Sequence, residues 1–444
     1  LVIVETLILF LLLFFAGWLR FGSTLAGPIW PRATLFSVSM AGSMLAFGLY
    51  SARQRARSLG ILIRVAAAVA AGSVVTAIAS YAIPDLSIGR AVLLLAALSA
   101  VVVLSAFRLV FSRVMDDAVA KRRVLVYGCG RRAMSIASLR RRSDRRGFVV
   151  VGYIGPDGEE EFIPAGNTLR LQGTLLMTCR QLNVDEVVVA MEDRRRGFPI
   201  LDLLECRMDG VEVTELLTFL ERETGRVRLD VLDPSWMIFG TGFRRDPLRI
   251  FSSRALDLTA SLLILLVSLP VIALAALAIK LEDGLRAPVF YKQERVGMAN
   301  VPFDVLKFRS MRMDAEVDGK AQWAQKRDPR ITRVGAVIRK LRIDELPQIL
   351  NVLRGDMSFV GPRPERPQFV AELSERIPYY VQRHCVKPGI TGWAQLCYPY
   401  GSSERDALEK LQYDLYYIKN NSLLFDLAIL VQTAEVVFMG QGAR

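Results

Sequence analysis

The sequence predicts a membrane protein of mixed α and α/β class: an N-terminal four-helix transmembrane bundle, a Rossmann-like α/β module, and a C-terminal α/β domain with a re-entrant membrane helix. Three observations lead there. The 444 residues are 52% hydrophobic with a mean hydropathy of +0.31, too apolar for an ordinary soluble chain of this length. The apolar residues are gathered into long stretches, and between them lies an apolar strand that runs into a glycine turn.

The four stretches are Leu1 to Leu19, Ala33 to Tyr50, Ile61 to Ile83 and Ala91 to Phe111, each long enough, or nearly so, to cross roughly 30 Å of hydrocarbon. The first lacks a small-residue cleavage site, which favours a span over a signal peptide. Arg53, Arg55, Arg57 and Arg64 flank the second connection, and Lys121, Arg122 and Arg123 follow the last span, so both ends of a bundle over residues 1–115 are expected in the cytoplasm.

Residues 121–240 form the expected α/β module. Val124 to Tyr127 reads as a buried strand, followed by Gly128-Cys129-Gly130 and a helical pattern, with further strands at Phe148 to Ile154 and Glu186 to Ala190. A G-x-G-x-x-A turn can seat a pyrophosphate on a helix N-terminus, which makes Gly128 and Gly130 candidate nucleotide-binding residues, with Asp157 the nearest acid for a ribose. The same glycines also serve a tight βα turn with no ligand, and both readings stand.

A fifth stretch, Ala255 to Ile279, is flanked by Arg244, Arg245, Arg249 and Arg254 on one side and by Lys280, Arg286, Lys292 and Arg295 on the other. The positive-inside rule places both ends in the cytoplasm. A re-entrant hairpin over about 255–280, broken at Ser268 and Pro270, satisfies this, because proline removes a backbone donor and serine can bond a freed carbonyl. A proline-kinked spanning helix is the competing reading.

The net charge of +13 suits anionic lipid headgroups and phosphorylated substrates beside such apolar segments, and nucleic acid is not expected. The five cysteines show no CxxC pair, so neither a zinc site nor a disulfide framework is expected. A single histidine, His384, leaves transfer chemistry to carboxylates.

Residues 250–444 hold the candidate site. Lys307-Phe308-Arg309 sets two cations on one side of an expected strand, able to clamp a diphosphate. In the block Arg339 to Leu353, Pro347 belongs in a helix's first turn, so the helix is expected to begin near Asp344, with Asp344 and Glu345 at its positive end and both favoured in their ionised forms. Arg363 sits between Pro362 and Pro364, a rigid mount for a guanidinium that binds phosphate. Lys387 to Gln395 offers a glycine-rich turn with Trp393 and Gln395, parts able to line a nucleotide or sugar pocket.

These blocks occur together and in order: PVFYKQERVG from Pro288, KFRSM from Lys307, IDELPQ from Ile343, GDMSFVGPRP from Gly355 and KPGITGWAQ from Lys387. In them, residues 250–440 resemble the bacterial sugar transferases, monotopic phosphoglycosyl transferases that begin exopolysaccharide and O-antigen synthesis. The N-terminal half resembles the longer members, which add a four-helix bundle and a Rossmann-like module. The resemblance implies a multi-pass protein of the bacterial inner membrane with its catalytic domain on the cytoplasmic face. It implies that Asp344 is the nucleophile on the β-phosphorus of a UDP-sugar, releasing UMP and leaving a covalent phosphosugar that polyprenyl phosphate takes. It further implies magnesium held through Asp344 or Glu345, with Arg363, Lys307, Arg309, Gln293, Arg295 and Gln395 around the substrate. The family sets serine directly before the break-point proline, whereas here Leu269 intervenes.

A membrane nucleotide-sugar dehydratase would want Tyr-x-x-x-Lys, and none of the tyrosines is followed by lysine at that spacing. The alternative from another class is a non-catalytic scaffold or nucleotide sensor for polysaccharide assembly. Asp344, Glu345 and Arg363 argue against a decayed site. A homodimer through the α/β module is also expected.

Overall fold

The computed structural model describes residues 1–21, 29–50, 58–114, 121–139, 147–232 except 157, 172, 194 and 196, 237–238, 246–312 except 285, 330–398, 401 and 403–438. The chain divides into two compact units, Leu1–Ile238 and Phe239–Arg444. Asp157 and the arginines 53, 55, 57, 244 and 245 lie outside the described residues.

The first unit opens with helices α1 (Val2–Phe21), α2 (Ile29–Ala46), α3 (Ser58–Ala82) and α4 (Arg90–Val114). They bury one shared core that includes Leu9, Leu13, Phe36, Met40, Val69 and Leu104. Arg108 on α4 donates to Glu5 on α1 at 2.7 Å, and both are buried; in apolar surroundings either charge would be costly without the other. Segments α1, α3 and α4 are long and apolar enough to cross a membrane. Helix α2, with 18 residues, is shorter and less apolar than these, because it opens with Trp30, Pro31 and Arg32 and ends at Ala46, before the last four residues of the expected stretch. The fourth such helix is the long one of the second unit.

Further along the unit, β1 (Arg122–Tyr127), β2 (Phe148–Ile154), β3 (Glu186–Val189) and β4 (Glu212–Glu215) form a parallel sheet in the order β2-β1-β3-β4. The central strands β1, from Val124 on, and β3 are covered on both faces, which is why they read as apolar runs. Val124, Val126 and Val188 face α5 (Arg131–Ala137) and α8 (Leu216–Thr224), while Leu125, Val187 and Val189 face α6 (Leu175–Gln181) and α7 (Ile200–Met208). The chain reverses direction between β1 and β3, so the crevice beyond their carboxyl ends is the switch point of the sheet.

The second unit begins with α9 (Pro247–Asp283), one unbroken helix of 37 residues, about 55 Å long. The backbone stays helical through Pro270, so the expected turn-back does not show as a gap in the helix. Pro270 lies inside regular helix, and the Ser268 hydroxyl, buried, bonds to nothing. As the charge argument expects of its two ends, both ends of α9 pack on the same globular body. Near its start, Arg254 donates to the carbonyls of Val352 and Leu353, and Asp257 accepts from Ser358 Oγ and the Phe359 N–H. Near its end, Ala275 and Ile279 share a core with Phe308 and Ile338, and Asp283 holds Arg309. Leu262, Leu263, Leu266, Val267, Leu274 and Leu277 are left exposed along the helix between the two ends.

The remaining elements are β5 (Phe290–Val296) antiparallel to β6 (Pro302–Phe308), α10 (Arg333–Lys340), α11 (Gln348–Arg354), β7 (Ser358–Val360), α12 (Pro367–Arg376), β8 (Gly389–Thr391) parallel to β7, α13 (Trp393–Cys397), α14 (Glu404–Asn420) and α15 (Leu423–Phe438). The last helix, expected either at a membrane interface or in a core, turns Asp426 inward. There Asp426 accepts from Arg249 at 2.6 Å and from the Tyr417 hydroxyl at 3.0 Å, while Leu424 stays exposed.

Candidate active site

The two carboxylates do not open an α-helix as expected. Ile343–Glu345 forms a short 3-10 turn, preceded by Arg342 in the left-handed region at φ 59°, and Pro347 is the cap before α11. The tight turn separates the fates of the neighbouring side chains. Glu345 Oε1 accepts from Arg363 Nη2 at 3.2 Å and lies 3.7 Å from Arg342 Nη1. Asp344 Oδ1 is buried and has no hydrogen-bond partner.

The electrostatics follow the geometry. Burial works to raise the Glu345 pKa, but Arg363, Lys307 and Arg342 overcome it and hold the carboxyl at about 2. Asp344 moves the other way: burial and the adjacent Glu345 charge raise its pKa, against the pull of Lys307, Arg339 and Arg342. The expectation that a helix end favours both ionised forms therefore fails for Asp344, because no N–H reaches its buried oxygen. Lys307 faces this cluster from β6, and burial together with Arg363 pushes its ammonium down to about 8.

Strand β6 is set against the carboxylates by Asn351, a fully buried residue of α11 that sequence reasoning passed over. Its Oδ1 accepts from the Leu306 N–H at 2.9 Å and its Nδ2 donates to the Asp304 carbonyl at 2.7 Å. Both backbone partners lie within three residues of Lys307. An asparagine at the fourth helical position carries no local signal for such a role.

Arg309 does not join Lys307. The strand ends at Phe308, and Arg309, buried, donates to Asp283 Oδ2 at 2.7 Å, tying the end of α9 to the strand. Arg295 and Gln293 stand one step behind the site: Gln293 Oε1 accepts from Arg295 Nη2 at 2.6 Å, and Arg295 Nη1 donates to the Pro364 carbonyl at 3.1 Å. Burial lowers the Arg295 pKa to about 10, with Glu365 opposing.

The segment Lys387 to Gln395 is the strand partner of the Gly355 to Pro364 block. Gly361 N–H donates to the Thr391 carbonyl and Gly389 N–H to the Pro362 carbonyl, both at 2.9 Å. A side chain at Gly389 would meet Gly361 N at 2.1 Å, so glycine is required by the backbone crossing and not by a ligand. Trp393 is buried against Tyr416 and Phe425, and Gln395 donates to the Ile390 carbonyl at 3.4 Å. Among the described residues Gln395 makes no hydrogen bond to the carboxylates.

In the α/β module the glycine turn also serves its own fold. Gly128 adopts φ +136°, and a side chain there would strike the Ala190 carbonyl carbon at 2.6 Å. Two N–H groups of the turn, those of Cys129 and Arg132, are taken by carboxylates of the chain. Glu159 accepts from Cys129 and Glu192 N–H, and Glu192 accepts from the Arg132 N–H, each at 2.8 Å. The crevice beside them, about 370 Å³, is lined by Glu159, Glu160, Glu192 and Asp193 with Arg131 and Phe162.

Among the described residues no cluster of three or more acidic, histidine or cysteine side chains could enclose a metal. The pair Asp344 and Glu345 does fit a magnesium ion shared with substrate phosphates, since such ions take one or two carboxylates and the unpartnered Asp344 oxygen is available.

Residues 248–440 match the bacterial sugar transferase family. The chain is 43% identical over 242 residues to a UDP-N-acetylgalactosamine-undecaprenyl-phosphate N-acetylgalactosaminephosphotransferase of Aeromonas hydrophila, covering 54% of this chain and 56% of that one. It is 36% identical over 324 residues to an undecaprenyl-phosphate glucose phosphotransferase of Komagataeibacter xylinus, covering 71% and 58%. The chain thus spans little more than half the length of these two relatives. Against the exopolysaccharide production protein PSS of Rhizobium leguminosarum bv. phaseoli it is 45% identical over 186 residues, covering 40% of this chain and 92% of the relative. The match extends over nearly all of that shorter protein, and the chain belongs to the bacterial sugar transferase family.

Proposed function

We propose that this protein transfers a sugar-1-phosphate from a UDP-sugar to a polyprenyl phosphate, undecaprenyl phosphate in bacteria, with release of UMP. One observation carries the reading: of two adjacent carboxylates, Glu345 is locked by Arg363 while Asp344 keeps a buried oxygen with no partner. A bond from Asp344 to phosphorus costs no existing hydrogen bond there.

The Asp344 oxygen attacks the sugar-bearing β-phosphorus, the bond from that phosphorus to the bridging oxygen breaks, and the electron pair leaves with UMP. The sugar phosphate is then an acyl phosphate on Asp344. An oxygen of polyprenyl phosphate attacks the same phosphorus and the aspartate is released. Two steps replace one direct meeting of anions. Lys307, Arg339 and Arg342 supply positive charge around Asp344, and Arg363, held beside it by Glu345, adds a guanidinium for the phosphates. Magnesium held by Asp344 and Glu345 would neutralise diphosphate charge.

The acceptor's chain finds a matching surface in the exposed leucines of α9. We further propose that the protein resides in the bacterial inner membrane with this unit on the cytoplasmic face, where nucleotide sugars are made, and that it begins exopolysaccharide or O-antigen synthesis. The names of the relatives carry both glucose and N-acetylgalactosamine, so the donor is assigned as a UDP-hexose or its N-acetylated form.

The test is to incubate the purified protein with UDP-sugar and magnesium but no acceptor, then digest it and weigh the peptides. A phosphosugar adduct on Asp344 with stoichiometric UMP is the expected result. Release of UDP, or turnover with Asp344 unmodified at every time point, overturns the proposal.

A further inference from the structure

Pro362-Arg363-Pro364 is an awkward segment to hold. Two of its three residues lack an N–H, so strand pairing cannot fix it from both sides, and anchoring falls to the carbonyls. Every one of them is used. The Pro362 carbonyl accepts from the Gly389 N–H at 2.9 Å, the Pro364 carbonyl from Arg295 at 3.1 Å, and the Arg363 carbonyl from Arg383 Nη2 at 3.0 Å.

Arg383 is the unusual anchor. It lies in the 3-10 turn Tyr380–Cys385 and is only 5% exposed, yet it is far from any solvent role. Its Nη2 also donates to Asp414 Oδ2 at 2.8 Å, its Nη1 to the Tyr380 hydroxyl at 2.8 Å, and its guanidinium sits over the Tyr380 ring at 5.1 Å. Asp414, on α14, is 2% exposed. Burying such a pair is a poor route to stability, since apolar residues of equal volume commonly do as well. Here it does something an apolar pair cannot, which is to grip one particular carbonyl from a fixed direction with a planar fork.

We infer that Arg383, oriented by Asp414, is a positioning residue that aims Arg363 at the donor's phosphates. The carbonyl it grips belongs to the same residue whose side chain reaches Glu345. With φ of both prolines set by their rings, fixing this carbonyl leaves the Arg363 side chain a narrow cone of approach. The inference rests on the proposed role of Arg363 as a phosphate ligand.

Steady-state kinetics of the full chain in detergent test it, because a two-step transfer yields a separate KM for donor and acceptor. Arg383→Lys keeps the charge but cannot fork. It is expected to raise the donor KM about tenfold and leave the acceptor KM within about twofold. Placed on an Arg363→Ala background, the same change is expected to add no more than about twofold, since the group it aims is gone. A full independent loss on that background, or equal shifts in both KM values, overturns the inference. If Arg383→Lys does not fold, Asp414→Asn frees the fork while keeping its shape, and the same pattern is required of it. If Arg363→Ala itself leaves the donor KM unchanged, the phosphate-ligand reading falls and takes this inference with it, an outcome distinct from additivity.

Discussion

Arg363 and Glu345, eighteen positions apart in sequence, meet at 3.2 Å, and the meeting leaves Asp344 as the member of the acidic pair with an oxygen to spare. The ion pair anchors a side chain from the proline-flanked loop to the 3-10 turn. It also divides labour between two carboxylates that sequence alone treats as equivalent.

Glu345→Gln removes the charge that fixes Arg363. We expect kcat/KM for the donor to fall about a hundredfold and stability to fall by about 1 to 2 kcal/mol, read by UMP release and thermal unfolding. The Glu345 pKa of about 2 lies below its unfolded value of 4.5, so its share of stability is present above pH 4.5 and is lost as pH falls toward 2. An unchanged donor KM would remove Glu345 from the site.

Lys307, held at about 8, is charged below that pH and neutral above it. Donor capture should therefore decline as pH rises through about 8, giving an alkaline limb in the kcat/KM profile. Lys307→Arg, which stays charged throughout, should carry the limb upward. A profile in which the variant and the parent coincide assigns the limb elsewhere.

His384 is buried, with Nδ1 2.7 Å from Asn300 Oδ1, and burial together with neighbouring Arg383 lowers its pKa to about 4. Between pH 6.5 and 4 the unfolded chain takes a proton that the folded chain refuses. Stability is thus full above pH 6.5 and declines as pH falls through this window, by up to about 3 kcal/mol. His384→Asn should flatten that slope in denaturant unfolding followed across pH.

Asn351→Leu strands the Leu306 N–H and the Asp304 carbonyl, both of which it now satisfies. Each orphaned group costs about 1 to 3 kcal/mol, so a loss of about 2 to 6 kcal/mol is expected, with a raised donor KM as Lys307 drifts from Glu345. Calorimetry and donor titration read the two effects separately.

The glycine turn of the α/β module should not bind a dinucleotide, because Glu159 and Glu192 already hold the Cys129 and Arg132 N–H groups and set carboxylates where phosphate would lie. Calorimetric titration of the full chain with NAD or ADP should give no saturable heat. Binding that disappears on Arg131→Ala would show that the carboxylates move aside.

Local chemistry was enough to read much of this chain. Strand Phe148–Ile154 and the sheet around Val124 were legible because apolar runs beside glycine turns have few other structures open to them. The apolar helices were legible because a long greasy stretch must satisfy its own backbone. Asp344, Glu345 and Arg363 could be singled out because acids beside cations, and an arginine between prolines, are costly patterns that packing does not require. What a side chain touches was decided only by the tertiary structure. Arg309 and Lys307 look alike as text, yet Asp283 claims one and the carboxylates face the other, since the strand ends between them. Pro270 lies inside a helix whose two ends are held by one globular body, contacts that no stretch of text announces. Arg383, Asp414 and Asn351 carry no motif, because their work is to satisfy particular backbone atoms that come near only once the chain has folded.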